Sequence, residues 1–195
     1  CRDRNRIALQ SDLLGAAALG IENVLCLSGD FTTFGDHPEA RPVFDLDSIQ
    51  LIAAVKGMNS GMLLSGGEMK RPTNFFIGGA ANPFAPPADF RVRRLQKKVT
   101  AGAAFIQTQP VFHLERFTAW MQQVRGLGLH EETAILTGVM PVKSVRALTY
   151  MQEEVPGMVI HPDYTERMAA AEDPKEEGVR IAVETIEQLR TIPGV

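Results

Sequence analysis

The feature that most constrains the fold is a repeated order of a short apolar run, a turn-rich loop and a helical pattern. The apolar runs lie at 23–28, 74–78, 104–108 and 134–139. Helical spacing follows them at 47–55, at about 89–101, and from near residues 114 and 144. Runs that are apolar at almost every position are typical of parallel strands buried on both faces. The order therefore predicts a parallel α/β fold, either a barrel or an open sheet.

Two more helices are expected outside these repeats. The first is predicted at 11–19 and ends at Gly20, a residue that commonly terminates helices. The second is predicted at 174–189, and its apolar stripe at helical spacing consists of Val179, Val183, Ile186 and Leu189. A closed barrel of eight strands takes about 250 residues. We therefore expect residues 1–195 to form a single, incomplete barrel domain.

Composition excludes several classes of partner. A formal net charge of -3 gives no general attraction to nucleic acid or to anionic membranes. No apolar run is long enough to span a bilayer, and no secretory signal is present, so a reducing cytoplasm is the default location. Cys1 and Cys26 lack the spacing of a metal site, and no metal is predicted. A chain that begins at Cys1 and not at methionine is expected to be a fragment.

Polar residues at the ends of the predicted strands are the candidate site residues. Asp30 follows the first strand, where a carboxylate is costly unless its surroundings use it, although an aspartate can equally cap the next loop. Gly29 permits close approach of the backbone to a flat ring, or simply a tight turn. Gln109 offers both a donor and an acceptor, and Thr108 can orient it; the alternative is that the backbone satisfies its amide. Asn82 precedes proline, which fixes its direction but is also an ordinary turn signal.

Four stretches together resemble the methylenetetrahydrofolate reductase family, most closely its bacterial branch. They read CRDRNRIALQSDLLGA, LSGDFTTFGDHPEARPVFDLDS, GGAANPFAPP and GAAFIQTQPVF, and the resemblance covers nearly the whole chain. It implies a (β/α)8 TIM barrel with non-covalent FAD across the C-terminal ends of the strands. The chain would run from about the third strand to before the eighth. The family's catalytic glutamate, on the first strand, then has no counterpart here, and we expect the segment alone to be inactive.

The resemblance also assigns roles to the candidate residues. Asp30 and Gln109 would be catalytic and would bind the pterin of methylenetetrahydrofolate. Contacts to FAD would come from Ser28, Gly29, Asp30, Asn82, Ala85, Arg94, Lys97 and Lys98. The last three lie on the one dense basic helix, which also carries Arg91 and Arg93 and could instead be a solvated face. Arg94 and Lys98 are four residues apart on one side, with Lys97 beside them, so together they could reach the pyrophosphate.

The implied reaction is reduction of 5,10-methylenetetrahydrofolate to 5-methyltetrahydrofolate in one-carbon and methionine metabolism. The electron donor stays open between NADH, NADPH and a partner flavoprotein, and so does the choice between a homo-oligomer and a larger complex. Two alternatives remain: a flavin-free pterin-binding methyltransferase barrel, and a non-catalytic barrel segment of a larger complex.

Three positions depart from the family pattern. His113 stands where the family usually has aspartate, Met151 where some members have an aromatic residue, and Ala147 where some have glutamine. These departures weaken the expected contacts to nicotinamide and to the glutamate tail of folate. His37 and His161 each adjoin a proline and are predicted to be exposed loop residues.

Overall fold

The computed structural model describes residues 1–155 and 157–195. In chain order its helices and strands are α1 Arg6–Ala18, β1 Asn23–Cys26, a 3-10 turn Thr32–Phe34, α2 Ser48–Asn59, β2 Phe76–Ala81, α3 Ala88–Ala101, β3 Phe105–Pro110, α4 Leu114–Gly126, α5 Leu129–Glu132, β4 Ala134–Gly138, α6 Val145–Glu154, α7 Pro162–Ala170 and α8 Pro174–Leu189. Every predicted strand and helix is present. The strand ends lie within three residues of their predicted positions.

The sheet order distinguishes the two predicted architectures. The strands are ordered β1-β2-β3-β4, and β1 pairs with β2 in parallel, from Asn23 opposite Phe76 to Cys26 opposite Gly79. An open doubly wound sheet reverses its order at a switch point, whereas a barrel adds each strand beside the previous one. The α/β class is therefore confirmed, with the strand order of a barrel segment.

The chain divides into two compact units. The first comprises Cys1–Ala80 and Lys97–Phe105, and the second comprises Ala81–Gln96 and Ile106–Val195. None of the helices in the described residues is long and apolar enough to cross a membrane.

The first unit is organised by α2, which packs on β1. Asp47 begins the helix with a capping box: its side chain accepts a hydrogen bond from the Gln50 N–H, and the Gln50 side chain accepts one from the Asp47 N–H. The helix then buries Ile52, Val55 and Met58 completely. Burying one such side chain is worth about 1.5–3 kcal/mol, so this face of α2 anchors the unit.

The second unit has two apolar layers. One face of α4 buries Phe117, Trp120, Met121 and Val124. A separate cluster joins the region after β3 to α6, α7 and α8, and it contains Phe112, Val142, Leu148, Met158, Ile160, Met168 and Ile181. The helices that follow β4 are thereby fixed to the loop that follows β3.

Two predictions about buried faces were wrong. β1 is not buried on both faces: only Cys26 is buried, and Leu25 is 38% exposed, because β1 is the last strand at one end of the sheet. On α8, Leu189 is buried as predicted, but Val179, Val183 and Ile186 are exposed.

The face of α8 that packs inward carries small residues, among them Gly178 and Ala182. A Cβ on Gly178 would collide with the carbonyl of Val142, so a small residue is required for the helix to approach this closely. Counting apolar residues along the helix misses a contact of this kind, since glycine contributes nothing to the apolar stripe.

Candidate functional site

The segment after β1 carries three candidates in the first unit. The Ser28 hydroxyl accepts a hydrogen bond from the Ser48 N–H at 3.1 Å, so it supports the first turn of α2. Asp30 is exposed, and its backbone carbonyl accepts a hydrogen bond from Arg2 Nη1 at 3.2 Å. The expectation that burial makes this carboxylate costly was therefore wrong, because the chain has already left the sheet at this point. The candidate role of Asp30 therefore rests on its position just after β1.

Gly29 has a left-handed backbone with a φ of 88°, and an added Cβ would lie 2.9 Å from Cβ of Arg2. Glycine is required here both by the backbone and by the close approach of residue 2. Gly29 and Asp30 line a cleft of about 470 Å³, which also has two arginines and two further aspartates in its lining. Four leucines add apolar surface to it: Leu9, Leu25, Leu27 and Leu51. The cleft therefore combines charged groups of both signs with apolar surface.

Cys26, at the end of β1, is unsuited to nucleophilic chemistry. Burial raises the pKa of its thiol to about 12, against a smaller lowering by the chain's N-terminal amine and Lys98. The thiol therefore stays protonated at neutral pH, and the thiolate is the reactive form.

The basic residues of α3 have three different surroundings. Lys98 is buried, and its Nζ donates a hydrogen bond to the carbonyl of Ala80 in β2, so the solvated-face alternative is wrong for this residue. Lys97 is exposed and Arg94 is half-buried. Within the described residues, neither Lys97 nor Arg94 forms an ion pair or hydrogen bond. Of the three candidate FAD contacts on α3, Arg94 and Lys97 therefore have side chains available for an external anion.

The loop after β2 is shaped by Asn82. Its side-chain oxygen accepts hydrogen bonds from the N–H groups of Phe84 at 3.0 Å and Ala85 at 3.2 Å, and its Nδ2 donates to the carbonyl of Gly157 at 3.3 Å. The turn alternative is confirmed as the structural role of this residue. The hydrogen bonds of the Asn82 amide are therefore made within the protein, while Ala85 is partly exposed beside it.

Arg91 was not among the predicted site residues, yet it holds the same loop. Its Nε donates to the carbonyl of Ala85 at 2.7 Å, and its Nη2 donates to the carbonyl of Pro86. An arginine in the first turns of a helix can reach back to the loop before it. The proline-rich loop just before Arg91 was the sequence signal from which this contact could have been predicted. The guanidinium and the Asn82 amide fix this loop from opposite ends.

Gln109 is exposed near the end of β3, and its amide forms no hydrogen bond within the described part of the chain. The alternative that the backbone satisfies this amide is therefore wrong. Buried Thr108 was predicted to orient it, and its hydroxyl does donate to the Gln109 carbonyl at 2.9 Å while accepting from the Gly138 N–H at 3.1 Å. The Gly138 carbonyl accepts from the Val111 N–H at 2.9 Å. These bonds connect the C-terminal ends of β3 and β4 and leave the Gln109 side chain uncommitted.

The other positions named in the sequence analysis lie in three kinds of surroundings: the apolar core, an exposed loop and a helix N-terminus. Met151 and Ala147 pack against the second-unit cluster, so in this chain they face the core. His37 is exposed as predicted. His161 lies in the segment before α7, as predicted, but it is half-buried and not exposed: it caps the N-terminus of α7, and its ring packs against His113. Cysteine spacing gave no hint of this histidine pair, which only the fold brings together.

A sheet whose parallel strands follow chain order, with polar residues at the strand ends, defines the class of α/β barrel proteins whose sites lie at that end. The model of the methylenetetrahydrofolate reductase family matches residues 1–192, so this chain belongs to that family.

Three curated relatives are similar to it. Methylenetetrahydrofolate reductase 1 of Schizosaccharomyces pombe is 25% identical over 97% of this chain and 30% of its own length. A probable methylenetetrahydrofolate reductase (NADPH) of Caenorhabditis elegans is 25% identical over 82% of this chain and 23% of its own length. Methylenetetrahydrofolate reductase (NADH) 1 of Arabidopsis thaliana is 29% identical over 68% of this chain and 22% of its own length. The chain thus spans less than a third of each relative.

Among solved structures, an uncharacterized protein from Clostridium thermocellum that binds two copies of 5-methyl-5,6,7,8-tetrahydrofolic acid shares the fold. The TM-score is 0.56 at 15% identity, covering 86% of this chain and 60% of that one. At this identity the likeness supports the fold alone.

Proposed function

We propose that this chain takes part in the flavin-dependent reduction of 5,10-methylenetetrahydrofolate to 5-methyltetrahydrofolate. The observation that carries the proposal is the family match over residues 1–192. The uncommitted amide of Gln109 at the end of β3 is consistent with it, because an amide without a partner among the described residues can recognise a pterin through both its donor and its acceptor.

FAD is the cofactor we propose, and the basic helix α3 fits its pyrophosphate. The side chains of Arg94 and Lys97 have no partners in the described residues, and both types form charge-assisted hydrogen bonds to phosphate. Lys98 would act indirectly, since it is committed to the Ala80 carbonyl. Ser28, Gly29, Asn82 and Ala85 are proposed as further contacts, of which Ser28 and Asn82 mainly hold the backbone in shape.

The bound flavin would supply the hydride chemistry, and the residues of this chain would position the reactants. Gln109 would hydrogen-bond the pterin ring, held at its backbone by Thr108. The carboxylate of Asp30 would accept hydrogen bonds from the donor groups on the pterin amide edge, and its negative charge would tune the flavin. We assign no residue of this sequence to the proton transfer that opens the one-carbon bridge.

A nicotinamide is the electron donor that we propose. The names of two relatives carry NADPH and NADH respectively, so the family match does not select between these two donors.

The test is a titration of FAD into the intact gene product, followed by absorbance and flavin fluorescence. We expect Arg94→Ala to weaken FAD binding at least tenfold. Arg93→Ala is the matched control, because Arg93 is an exposed arginine one position away on the same helix, and it should leave binding unchanged. Asp30→Asn should preserve FAD binding and slow methylenetetrahydrofolate reduction. A protein that binds no FAD would refute the proposal and favour a flavin-free pterin-binding methyltransferase barrel.

A further inference from the structure

Two histidines and a glutamate from separate parts of the second unit meet near the N-termini of α4 and α7. One potential ligand atom from each of His113, Glu115 and His161 lies within 4.8 Å of the other two. His113 Nδ1 is 3.0 Å from Glu115 Oε2, and the two imidazole rings are 5.0 Å apart and nearly perpendicular. We propose that these three side chains bind a divalent transition metal of the zinc class.

The backbone holds the two histidines in place without any metal. The N–H of His161 donates to the carbonyl of Phe112 at 2.9 Å, which fixes His161 beside the residue that precedes His113. Phe112 is itself buried in the second-unit cluster. Both histidines are N-cap residues of their helices, so their backbones are ordered at helix starts. A site whose ligands are held by the fold loses little entropy when a metal binds.

One of the three separations is already close to that of a tetrahedral metal site. Bonds of about 2.0–2.1 Å to imidazole nitrogen and carboxylate oxygen place two ligand atoms roughly 3.3 Å apart. The pair formed by His113 and Glu115 already has this spacing, at 3.0 Å. The other two separations are at most 4.8 Å, and the one that involves Glu115 can narrow because the side chain of Glu115 is 74% exposed.

The ligand chemistry favours zinc over magnesium or calcium. Two imidazoles with one carboxylate suit transition metals, whereas magnesium and calcium prefer a full set of oxygen ligands. A water molecule would complete four-coordination, as in known sites with two histidines and a glutamate. No reaction is assigned to the site.

Two further features bear on a cation at this position. His113 Nδ1 is buried and lacks a well-aligned hydrogen bond in the described structure, despite its closeness to Glu115. His161 Nδ1 accepts a hydrogen bond from the Asp163 N–H at 3.3 Å and also lies 3.4 Å from Asp163 Oδ1. Metal binding through Nε2 would put the proton on Nδ1, which would exchange this capping bond for one to the Asp163 carboxylate. The helix dipoles oppose a cation here, and Glu115 and Asp163 supply the compensating negative charge.

The test uses Zn²⁺ alone in calorimetric titration and Co²⁺ alone in visible absorption, on the purified chain and three variants. His161→Asn removes a ligand but keeps a residue that caps helices well, and Glu115→Gln alters an exposed side chain. His37→Asn is the matched control: His37 and Glu39 have the same spacing in sequence, with Nδ1 3.5 Å from Oε1, but among the described residues they form no group with a third ligand.

We expect one Zn²⁺ per chain, with binding at least tenfold weaker in His161→Asn and in Glu115→Gln, and unchanged in His37→Asn. Equal binding by the parent and both site variants would overturn the proposal, and so would a Co²⁺ spectrum with a thiolate band, which would assign the metal to Cys1. Should His161→Asn fail to fold, Glu115→Gln decides alone. The outcome is independent of FAD or folate binding.

Discussion

Replacing Thr108 by valine removes one hydroxyl from the connection between β3 and β4 while nearly preserving the shape of the side chain. The hydroxyl donates to the Gln109 carbonyl and accepts from the Gly138 N–H. Each such bond contributes about 1 kcal/mol net, and a partner left without a bond costs about 1–3 kcal/mol. Thr108 is buried, so water cannot readily replace the hydroxyl. We expect Thr108→Val to lower the free energy of unfolding by about 2 kcal/mol.

The assay is urea unfolding followed by circular dichroism, with Thr149→Val as the control. The Thr149 hydroxyl donates to the Val145 carbonyl at 3.2 Å, but this residue is exposed on α6 and water can satisfy its partner. A thermal melt should agree, since 2 kcal/mol corresponds to a fall in Tm of about 4–8 °C for a chain of this size. Equal losses in the two variants would show that the connection at the strand ends adds no stability.

Three other changes have definite expected outcomes. Gly138→Ala should destabilise the fold by about 1–3 kcal/mol in urea unfolding, because its Cβ would lie 2.9 Å from a carbonyl oxygen of β3. Hydrogen bonds from Arg6 to the carboxylate lower the pKa of Asp45 to about 2. The stability that this ion pair contributes is therefore present at a pH above 3.8, the ordinary pKa of the group, and is lost as the pH falls to about 2. Asp45→Asn should therefore reduce the loss of stability between pH 5 and pH 2, measured by urea midpoints. Cys26 should resist a thiol reagent at pH 8 in the folded chain while the partly exposed Cys1 reacts, which counting modified thiols by mass would show.

Each of these has a control in the same chain. Gly126→Ala adds a Cβ with no atom within 4 Å and should cost nothing; a similar loss in both glycine variants would contradict the packing argument. Asp36→Asn changes an exposed carboxylate without an ion pair in the described residues, and should leave the pH dependence as it is. After unfolding in urea both cysteines should react, and a rapid reaction of Cys26 before unfolding would contradict its burial.

The order of strands and helices could be predicted from sequence because it depends on local signals. Short apolar runs, glycine at helix ends and proline-rich loops can each be recognised from a few neighbouring residues. The predicted bounds of α8, 174–189, are those of the structure. The buried face of α8 was not predictable in this way. It depends on the carbonyl of Val142, which lies more than thirty positions away in sequence and requires a glycine at position 178.

The candidate site shows the same division. Thr108 was predicted to orient Gln109, and its hydroxyl does bond the Gln109 backbone carbonyl, because adjacent residues at a strand end are within reach of each other. The orientation of the Gln109 side chain stays a prediction. The sequence could not predict that Lys98 is buried while Lys97 is exposed. Neighbouring residues on a helix differ by a rotation of about 100°, and the location of β2 decides which of the two lysines is buried. The contact between His113 and His161 could not be predicted either. It forms because the N-termini of two helices distant in sequence lie side by side, and no local sequence pattern indicates that.

The fixed loop after β2 has a thermodynamic consequence for whatever it contacts. Asn82 and Arg91 together anchor the backbone at Phe84, Ala85 and Pro86 by contacts within the protein. The conformational entropy of this segment is therefore lost when the chain folds and not when a ligand arrives. Substitutions that loosen the loop should accordingly weaken binding through a less favourable entropy while leaving the contact enthalpy nearly unchanged.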